Sequence, residues 1–448
     1  MYNSEYLNKI LEDVKRSNPN QPEFINAVVE FLDSMEEVVE KDPRIEANAI
    51  LERFVVPERV ISFRVCWVDD NGKIRVNTGY RVQFNSAIGP YKGGLRFDKS
   101  VNLSILKFLA FEQIVKNSLT GLPIGGGKGG SDFDPIGKSD GEVMRFCQSF
   151  MAELYRHIGP NLDVPAGDIG VGGREVGYLF GFYKKLKNDF SGVITGKGVE
   201  YGGSYARPEA TGYGVMYFAS EMLKVLRNDS LKGKKIIISG SGKVASFALE
   251  KANTLGATVV AMSDRNGWYY DPKGIDVEFA LKNAKAKGET YKAYIEKYPN
   301  VAHGENNHDI WNVPCDIAFP CATQKEINVN DAMNLKKNGC FMVCEGANMP
   351  TDVEAIHYLH KEGVLFAPGK AANGGGVAVS CLEMSQDAMH LSWTFEEVDE
   401  KLQKIMKDIF HKCYDAATLY NEPTNIAKGA NIAGFKKVYE AMLAEGLV

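Results

Sequence analysis

Residues 236–245 read IIISGSGKVA, an apolar run that leads into a glycine turn, and this stretch decides the fold of half the chain. A short apolar strand, a turn at Gly240, Ser241 and Gly242, and a following helical pattern make the first part of a βαβ unit. The first glycine makes the tight turn and the second lets the backbone approach a pyrophosphate. The pattern therefore predicts a dinucleotide-binding unit with the phosphates at a helix N-terminus.

Further apolar runs after this turn predict the rest of a sheet. The run Thr258 to Met262 is the next strand, and Val313–Pro320, Phe341–Cys344 and Val364–Pro368 are short apolar stretches between helical ones. The segment from Trp268 to Asn307 is charged and polar and carries no strand prediction. We expect a doubly wound parallel sheet of the Rossmann type.

The first part of the chain has a different pattern. Residues 1 to about 55 show helical spacing, with Pro22 placed to open a helix. From Arg59 to Phe84 the apolar period becomes two, interrupted by the turn residues 70–72, which predicts a β-hairpin. Near the C-terminus, Thr394 and Glu397 predict a capped helix. The predicted fold class is α/β, with an N-terminal α/β domain and a separate Rossmann-like domain.

Length and charge restrict the class of protein. A chain of 448 residues exceeds what one hydrophobic core usually supports. The 52 Lys and Arg against 57 Asp and Glu give a net charge of −5, so no basic field favours nucleic acid or anionic lipid as a partner. No apolar run is long enough for a membrane helix and the N-terminus is polar, so we expect a cytoplasmic protein.

The eight cysteines are scattered and form no C-x-x-C pair, which favours reduced, buried thiols. The histidine pair His357 and His360 could chelate a metal, but it has no third ligand nearby in sequence. We expect no bound metal.

Three lysines lie in apolar or glycine-rich surroundings. They are Lys92 in GPYKGGLRF, Lys116 in the apolar helical stretch after Ser104, and Lys128 in PIGGGKGGSDFDP. The last is not a P-loop, because that motif would need glycine at Leu122 and Ser or Thr at Gly129. Glycines let the backbone and a ligand come close. The surroundings of these lysines therefore favour binding of an anionic ligand over the alternative that they are solvated surface residues.

A glycine-flanked carboxylate forms the third cluster. Asp168 stands in PAGDIGVGG, residues 165–173, where little side-chain bulk surrounds it. An isolated Asp-x-Gly is as often a turn residue that bonds its own backbone. Beside three lysines that need an anionic ligand, Asp168 is a candidate proton carrier.

These motifs resemble one family over nearly the whole chain. GPYKGGLRF, LPIGGGKGGSDFDP, DVPAGDIGVGGREVGY, RPEATGYG, PCATQ, EGANMP and GKAANGGGVAVS are similar, in this order, to stretches of the hexameric glutamate dehydrogenases. The resemblance implies reversible conversion of L-glutamate to 2-oxoglutarate and ammonia with a nicotinamide dinucleotide. It also implies a cleft between a substrate domain and a dinucleotide domain.

The resemblance assigns roles to individual residues. Lys128 matches the catalytic lysine and Asp168 its acid/base partner, while Lys92 and Ser380 match the residues that bind the distal carboxylate and Lys116 the one that holds the α-carboxylate. Further substrate-binding positions implied are Ala166, Arg207, Asn373 and Val377. Cofactor-binding positions implied are Thr211, Gly240, Ser241, Gly242, Lys243, Val244, Ser263, Asp264, Asn348 and Asn373.

The chemistry has a physical basis in the residues. A lysine close to other cations and shielded from water loses its proton more easily and can act as a base. Lys128 could then activate water against an iminium carbon, while Asp168 carries protons to and from the amine. Lys92 and Ser380 favour a substrate with a second carboxylate over the apolar substrates of related amino-acid dehydrogenases. Such a relative, or a catalytically silent nucleotide-binding oligomer, remains the alternative.

The cofactor preference rests on two opposed signals. An acidic residue such as Asp264 beyond the glycines generally favours NAD. The Ser263–Asp264 pair resembles NADP-dependent members of the family, and Arg265, Lys282, Lys285 and Lys287 could balance a 2′-phosphate. We expect NADP, with NAD as the alternative.

Domain limits and assembly complete the predictions. We expect a substrate-binding and oligomerisation domain at 1–202, a dinucleotide-binding domain at 203–424, and a C-terminal helix at 425–448 that returns to the substrate domain. The hairpin would leave an open sheet edge that another subunit could cover. The resemblance implies a homohexamer, with glutamate, 2-oxoglutarate and ammonium as its small-molecule partners.

Overall fold

The computed structural model describes residues 2–283 and 289–447, and the chain divides into two compact units. The first unit comprises Met1–Arg207, Val379–Val398 and Asn431–Val448, and the second comprises Pro208–Ala378 and Asp399–Ala430. The segment Val379–Val398 thus belongs to the first unit, whereas the sequence analysis assigned it to the dinucleotide-binding domain. The boundaries at 202 and 424 stay a prediction.

The first unit is built on a five-stranded mixed sheet. Its strands are β1 (Arg59–Val68), β2 (Ile74–Asn85), β3 (Tyr91–Phe97), β4 (Gly125–Ser131) and β5 (Asp163–Gly167), in the order β1-β2-β4-β3-β5. β1 and β2 form the predicted antiparallel hairpin, while β3 is parallel to both β4 and β5. Its helices are α1 (Glu5–Ser17), α2 (Pro22–Leu32), α3 (Glu36–Lys41), α4 (Arg44–Ala47), α5 (Ile50–Phe54), α6 (Leu103–Leu119), α7 (Asp140–Leu154) and α8 (Gly173–Lys187).

The helical N-terminus and the Pro22 start of α2 are confirmed. The strands β3 and β4 were not predicted, because glycine is depleted in strands, while β4 is mostly glycine and a glycine pair interrupts β3. Their glycines permit close packing of neighbouring segments of the same chain. A Cβ at Gly94 would lie 2.8 Å from the Asp168 Cβ, so only glycine lets β3 pass this close to the aspartate.

The second unit is built on a seven-stranded sheet in the order β12-β11-β10-β6-β7-β8-β9. Its strands are β6 (Lys235–Ile238), β7 (Thr258–Asp264), β8 (Gly267–Tyr270), β9 (Ala302–Gly304), β10 (Ile317–Phe319), β11 (Met342–Cys344) and β12 (Leu365–Ala367). Its helices are α9 (Ala210–Arg227), α10 (Lys243–Thr254), α11 (Val277–Asn283), α12 (Thr290–Lys297), α13 (Val329–Lys337), α14 (Val353–Lys361) and α15 (Gly369–Ala372). Three helices follow along the chain, and each has residues in both units: α16 (Gly375–Met389), α17 (Phe395–Leu419) and α18 (Ile426–Glu445).

The doubly wound α/β fold is confirmed with one correction. Five strands are parallel, but β8 and β9 are antiparallel to their neighbours, so the polar segment Trp268–Asn307 adds two strands and two helices to the unit. The alternation of buried and half-buried residues in β8 covers only four residues, which is too short to predict a strand. On its buried face, Tyr269 stacks on Tyr294 of α12. The capping box of Thr394 and Glu397 at the start of α17 is confirmed.

Two smaller expectations were tested by the fold. Seven cysteines are buried as predicted, but Cys66 is exposed because it lies on the opposite face of β1 from the buried Val65 and Trp67. Across residues 2–283 and 289–447, no helix is both long and apolar enough to cross a membrane.

Candidate functional site

Lys128 and Asp168 form an ion pair on the sheet of the first unit. The Lys128 Nζ lies 3.1 Å from the Asp168 Oδ2, and the Arg96 Nε donates to the same oxygen at 2.8 Å. Lys128 projects from β4 and Asp168 directly follows β5, so pairing of both strands with β3 brings them together. Lys128 and Asp168 were predicted from the sequence, whereas Arg96 was not. The missed signal is the period of two in GPYKGGLRF, which places Arg96 on the same face of β3 as Lys92.

Burial dominates the electrostatics of this cluster. Burial lowers the pKa of Lys128, and the neighbouring Arg96 and Arg81 lower it further, while Asp168 opposes the shift. The neighbouring cations that lower the pKa of Lys128 thus include two arginines that the sequence did not indicate. Burial alone would raise the pKa of Asp168, but Lys128 and Arg96 lower it to about 2. Asp168 is thus a carboxylate at neutral pH.

Lys92 is enclosed by the first unit, with 1% of its surface exposed. Its ammonium donates to the Val164 carbonyl at 3.0 Å and to the Thr195 Oγ1 at 2.8 Å. Burial and the nearby Arg207 lower its pKa to about 7. Thr195 was missed, because nothing in its local sequence indicates that it meets a lysine about a hundred residues earlier.

The remaining predicted substrate residues of the first unit lie around these groups. The Arg207 Nε donates to the Ser380 Oγ at 2.9 Å, and Ser380 is buried. Ala166 is buried in β5, where it pairs with Gly94. Lys116 is half-buried in the last turn of α6. Its neighbour Asn117 fixes that turn by donating to the Lys92 and Gly125 carbonyls of β3 and β4.

The second unit holds the predicted dinucleotide residues at the carboxyl ends of its parallel strands. Gly240 follows β6 with φ +92°, a conformation that favours glycine, and Gly242 is the N-cap of α10. The exposed Lys243 begins α10, so the first amides of this helix and a cation are available to phosphate groups. Ser263 at the end of β7 accepts a hydrogen bond from the Gly240 amide at 3.3 Å. This backbone cradle fits a dinucleotide.

Asn373, Asn348, Thr211 and Val377 also lie in the second unit. The Asn373 amide nitrogen donates to the Gly346 and Ala347 carbonyls and to the Asn348 Oδ1 at 2.9 Å. Its buried Oδ1 has no hydrogen-bond partner among the described residues. Thr211 is in the first turn of α9 and Val377 is half-buried in α16. The Asn373 Oδ1 can therefore accept a hydrogen bond from a ligand.

Asp264 is held at the end of β7 by two backbone amides. Its Oδ1 accepts from the Asn266 amide at 2.8 Å and its Oδ2 from the Tyr291 amide at 2.9 Å. Tyr291 is in the first turn of α12, whose own N-cap side chain, Glu289, makes no capping bond. Asp264 therefore caps α12 from the end of β7. Of the basic residues expected near a 2′-phosphate, Arg265 and Lys282 are exposed, and Lys285 and Lys287 lie outside the described residues.

Comparison with known proteins covers both units. Residues 202–446 match the Glutamate/Leucine/Phenylalanine/Valine dehydrogenase family, and residues 57–185 match the Glu/Leu/Phe/Val dehydrogenase dimerisation domain. The chain is 57% identical to an NAD(P)-specific glutamate dehydrogenase of Xylanibacter ruminicola, over 98% of this chain and 99% of the relative. It is 54% identical to an NADP-specific glutamate dehydrogenase of Helicobacter pylori, over 99% of this chain and the whole relative.

A solved structure gives the same result. The crystal structure of Plasmodium falciparum glutamate dehydrogenase superposes with a TM-score of 0.95 at 51% identity, covering 99% of this chain and 95% of that one. Sequence and fold agree over nearly the full length of both proteins. The chain belongs to the Glutamate/Leucine/Phenylalanine/Valine dehydrogenase family.

Proposed function

We propose that the chain is a glutamate dehydrogenase that interconverts L-glutamate and 2-oxoglutarate plus ammonia, with NADP(H) as its preferred cofactor. The observation that carries the proposal is the pair of the buried Lys128 and the half-buried Asp168 on the same sheet as the enclosed Lys92. Cationic groups around Lys92 suit a substrate with a second carboxylate, which an apolar pocket would exclude. The similar relatives from X. ruminicola and H. pylori carry this activity in their names.

The residues of the first unit have distinct tasks in this proposal. Lys92 and Ser380 bind the distal carboxylate, and Lys116 holds the α-carboxylate. Lys128, with its lowered pKa, takes a proton from the water that attacks the iminium carbon of the oxidised substrate. Asp168 then holds the resulting Lys128 ammonium in place, and Lys128 gives this proton to the ammonia that leaves. The bound nicotinamide dinucleotide supplies the hydride acceptor for the substrate Cα–H.

The preference for NADP(H) is supported by the position of Asp264. Both of its carboxylate oxygens accept backbone hydrogen bonds, so the protein sets the orientation of this carboxylate and ribose hydroxyls would share it with two amides. The exposed Arg265 and Lys282 could balance a 2′-phosphate.

The test is the reductive amination of 2-oxoglutarate with ammonium. Its rate is measured as the consumption of NADPH or of NADH. Branched and aromatic 2-oxo acids serve as competing substrates. We expect 2-oxoglutarate with NADPH to give the highest kcat/KM. A preference for an apolar oxo acid would favour a related amino-acid dehydrogenase, and no turnover of any of them would favour a silent nucleotide-binding oligomer.

We also propose that the chain assembles as a homohexamer through its first unit. The edge strand β1 and its partner β2 expose apolar side chains, including Val60, Ile74 and Val76. Such an edge is usually covered. The match of residues 57–185 to a dimerisation domain supports this view. Light scattering should give a mass near six times 49.4 kDa, and a mass near one chain would refute the assembly.

A further inference from the structure

A second ion cluster lies in the first unit beside the Lys92 pocket, and the reaction described above does not use it. The Lys197 Nζ lies 2.9 Å from the Glu383 Oε1 and 2.8 Å from the Asp387 Oδ2. The side chains of Lys197 and Glu383 have no exposed surface. Burying ions costs free energy unless they are paired and hydrogen-bonded, so a buried cluster in this place requires a reason.

Glu383 also holds a backbone loop. Its Oε2 accepts from the Gly196 amide at 2.9 Å and its Oε1 from the Lys197 amide at 3.3 Å. Lys197 in turn donates to the Ile194 carbonyl at 2.6 Å. These contacts surround Thr195 on both sides in sequence. The Thr195 amide is also tied to the Pro165 carbonyl at 3.0 Å, so its hydroxyl has a fixed position.

That fixed hydroxyl accepts the hydrogen bond from the Lys92 ammonium. Glu383 also lies one helical turn after Ser380 on α16, and Ser380 accepts from Arg207. One buried carboxylate therefore connects the loop that contacts Lys92 to the helix turn that carries Ser380. Asp387 shares the partner Lys197 but bonds none of the amides in this loop.

We propose that Glu383, paired with Lys197, is a positioning residue that fixes Thr195 against Lys92 and so sets the affinity for the distal carboxylate of the substrate. This inference rests on the proposed glutamate dehydrogenase activity and names a residue that determines its specificity. It predicts that loss of the Glu383 charge affects substrates with a distal carboxylate and leaves those without one unaffected.

Electrostatics act in the same direction as the geometry. Besides burial, the groups that act on the Lys92 pKa are Arg207 and Arg81, which lower it, and Glu383 and Cys381, which raise it. Without the Glu383 charge, Lys92 should lose its proton at lower pH. A lower pKa leaves a smaller fraction of Lys92 charged above neutral pH, and so less positive charge for a distal carboxylate.

The test compares Glu383→Gln with the wild type and with Asp387→Asn as the matched control. We expect Glu383→Gln to raise the KM for glutamate and the inhibition constant of glutarate by about tenfold. The kcat/KM for norvaline, which has no distal carboxylate, and the KM for the dinucleotide should not change. The pH above which glutamate KM rises should shift downward, and Asp387→Asn should behave like the wild type.

Other outcomes overturn the inference. A parallel loss with glutamate and norvaline would mean a purely structural role, and an unchanged or lower glutamate KM would mean that Glu383 does not support the pocket. If Glu383→Gln does not fold, the neutral pair Glu383→Gln with Lys197→Met replaces it, and failure of both to fold also overturns the inference. If the wild type does not turn over glutamate at all, the proposed function fails instead, which separates the two results.

Discussion

The two candidate sites of this chain are built from different materials. In the first unit, charged side chains on glycine-lined strands make the site, where Arg96 and Lys128 lie 2.8 and 3.1 Å from the same oxygen of Asp168. In the second unit, the backbone makes the site, through the turn at Gly240 and the first amides of α10. A site made of side chains depends on single groups, whereas a backbone site depends on the local fold. Single substitutions should therefore act on chemistry in the first unit and on stability in the second.

The largest effect is expected for Lys128→Ala. It removes the proposed base, so kcat should fall by ~10³-fold or more. Steady-state kinetics measure the loss, while dinucleotide binding and the melting temperature should stay near those of the wild type. The exposed Lys138→Ala is the control and should keep full activity. A folded Lys128→Ala protein with near-normal kcat would refute the assignment.

The substitution Asp168→Asn tests the other half of the pair. It keeps the size of the side chain but removes the charge that faces Lys128 and Arg96, so kcat should fall by ~10²-fold. Asp168 also opposes the lowering of the Lys128 pKa, so the pH at which Lys128 becomes a base should fall in this variant. The pH profile of kcat measures that shift. An increase in glutamate KM alone would indicate that Asp168 only positions the ligand.

The double substitution Lys92→Leu with Ser380→Val tests the specificity of the first site. It replaces the proposed carboxylate pocket with an apolar one, so kcat/KM for glutamate should fall by ~10- to 100-fold, the value of a charged hydrogen bond. Norvaline or methionine should gain relative to glutamate in a competition assay. If glutamate keeps its lead, its second carboxylate is bound elsewhere.

A pH series sharpens the same point without mutation. The pKa of Lys92 is about 7, lowered by burial, so its charge is present below that pH and is lost as the pH rises through it. The ratio of kcat/KM for glutamate to that for norvaline should therefore fall above neutral pH, by up to ~10-fold per unit. Because both substrates use Lys128, its titration cancels in the ratio. A ratio independent of pH would contradict the role of Lys92.

Local patterns predicted the backbone site and part of the side-chain site. The turn at residues 236–245 and the hairpin follow from short-range periodicity, so the sequence predicts both. Strands β3 and β4 could not be predicted, because their glycines are explained only by neighbours that pack against them. Arg96, Thr195 and Glu383 meet their partners through strand pairing and loop contacts across long sequence separations. The period of two in β3 could have indicated Arg96, but no local signal indicates the contacts of Thr195 and Glu383.

The smallest effect is expected in the second unit, for Asp264→Asn. Asparagine offers one oxygen where Asp264 uses two, so either the Asn266 amide or the Tyr291 amide loses its acceptor. Loss of a helix cap typically costs about 1 kcal/mol, which should appear as a lower free energy of unfolding in denaturant titrations. Because the carboxylate is committed to these amides, the ratio of kcat/KM for NADP to that for NAD should change by less than ~10-fold. A larger change with unaltered stability would show that Asp264 binds the ribose directly, and the second site would then depend on a single side chain in the same way as the first.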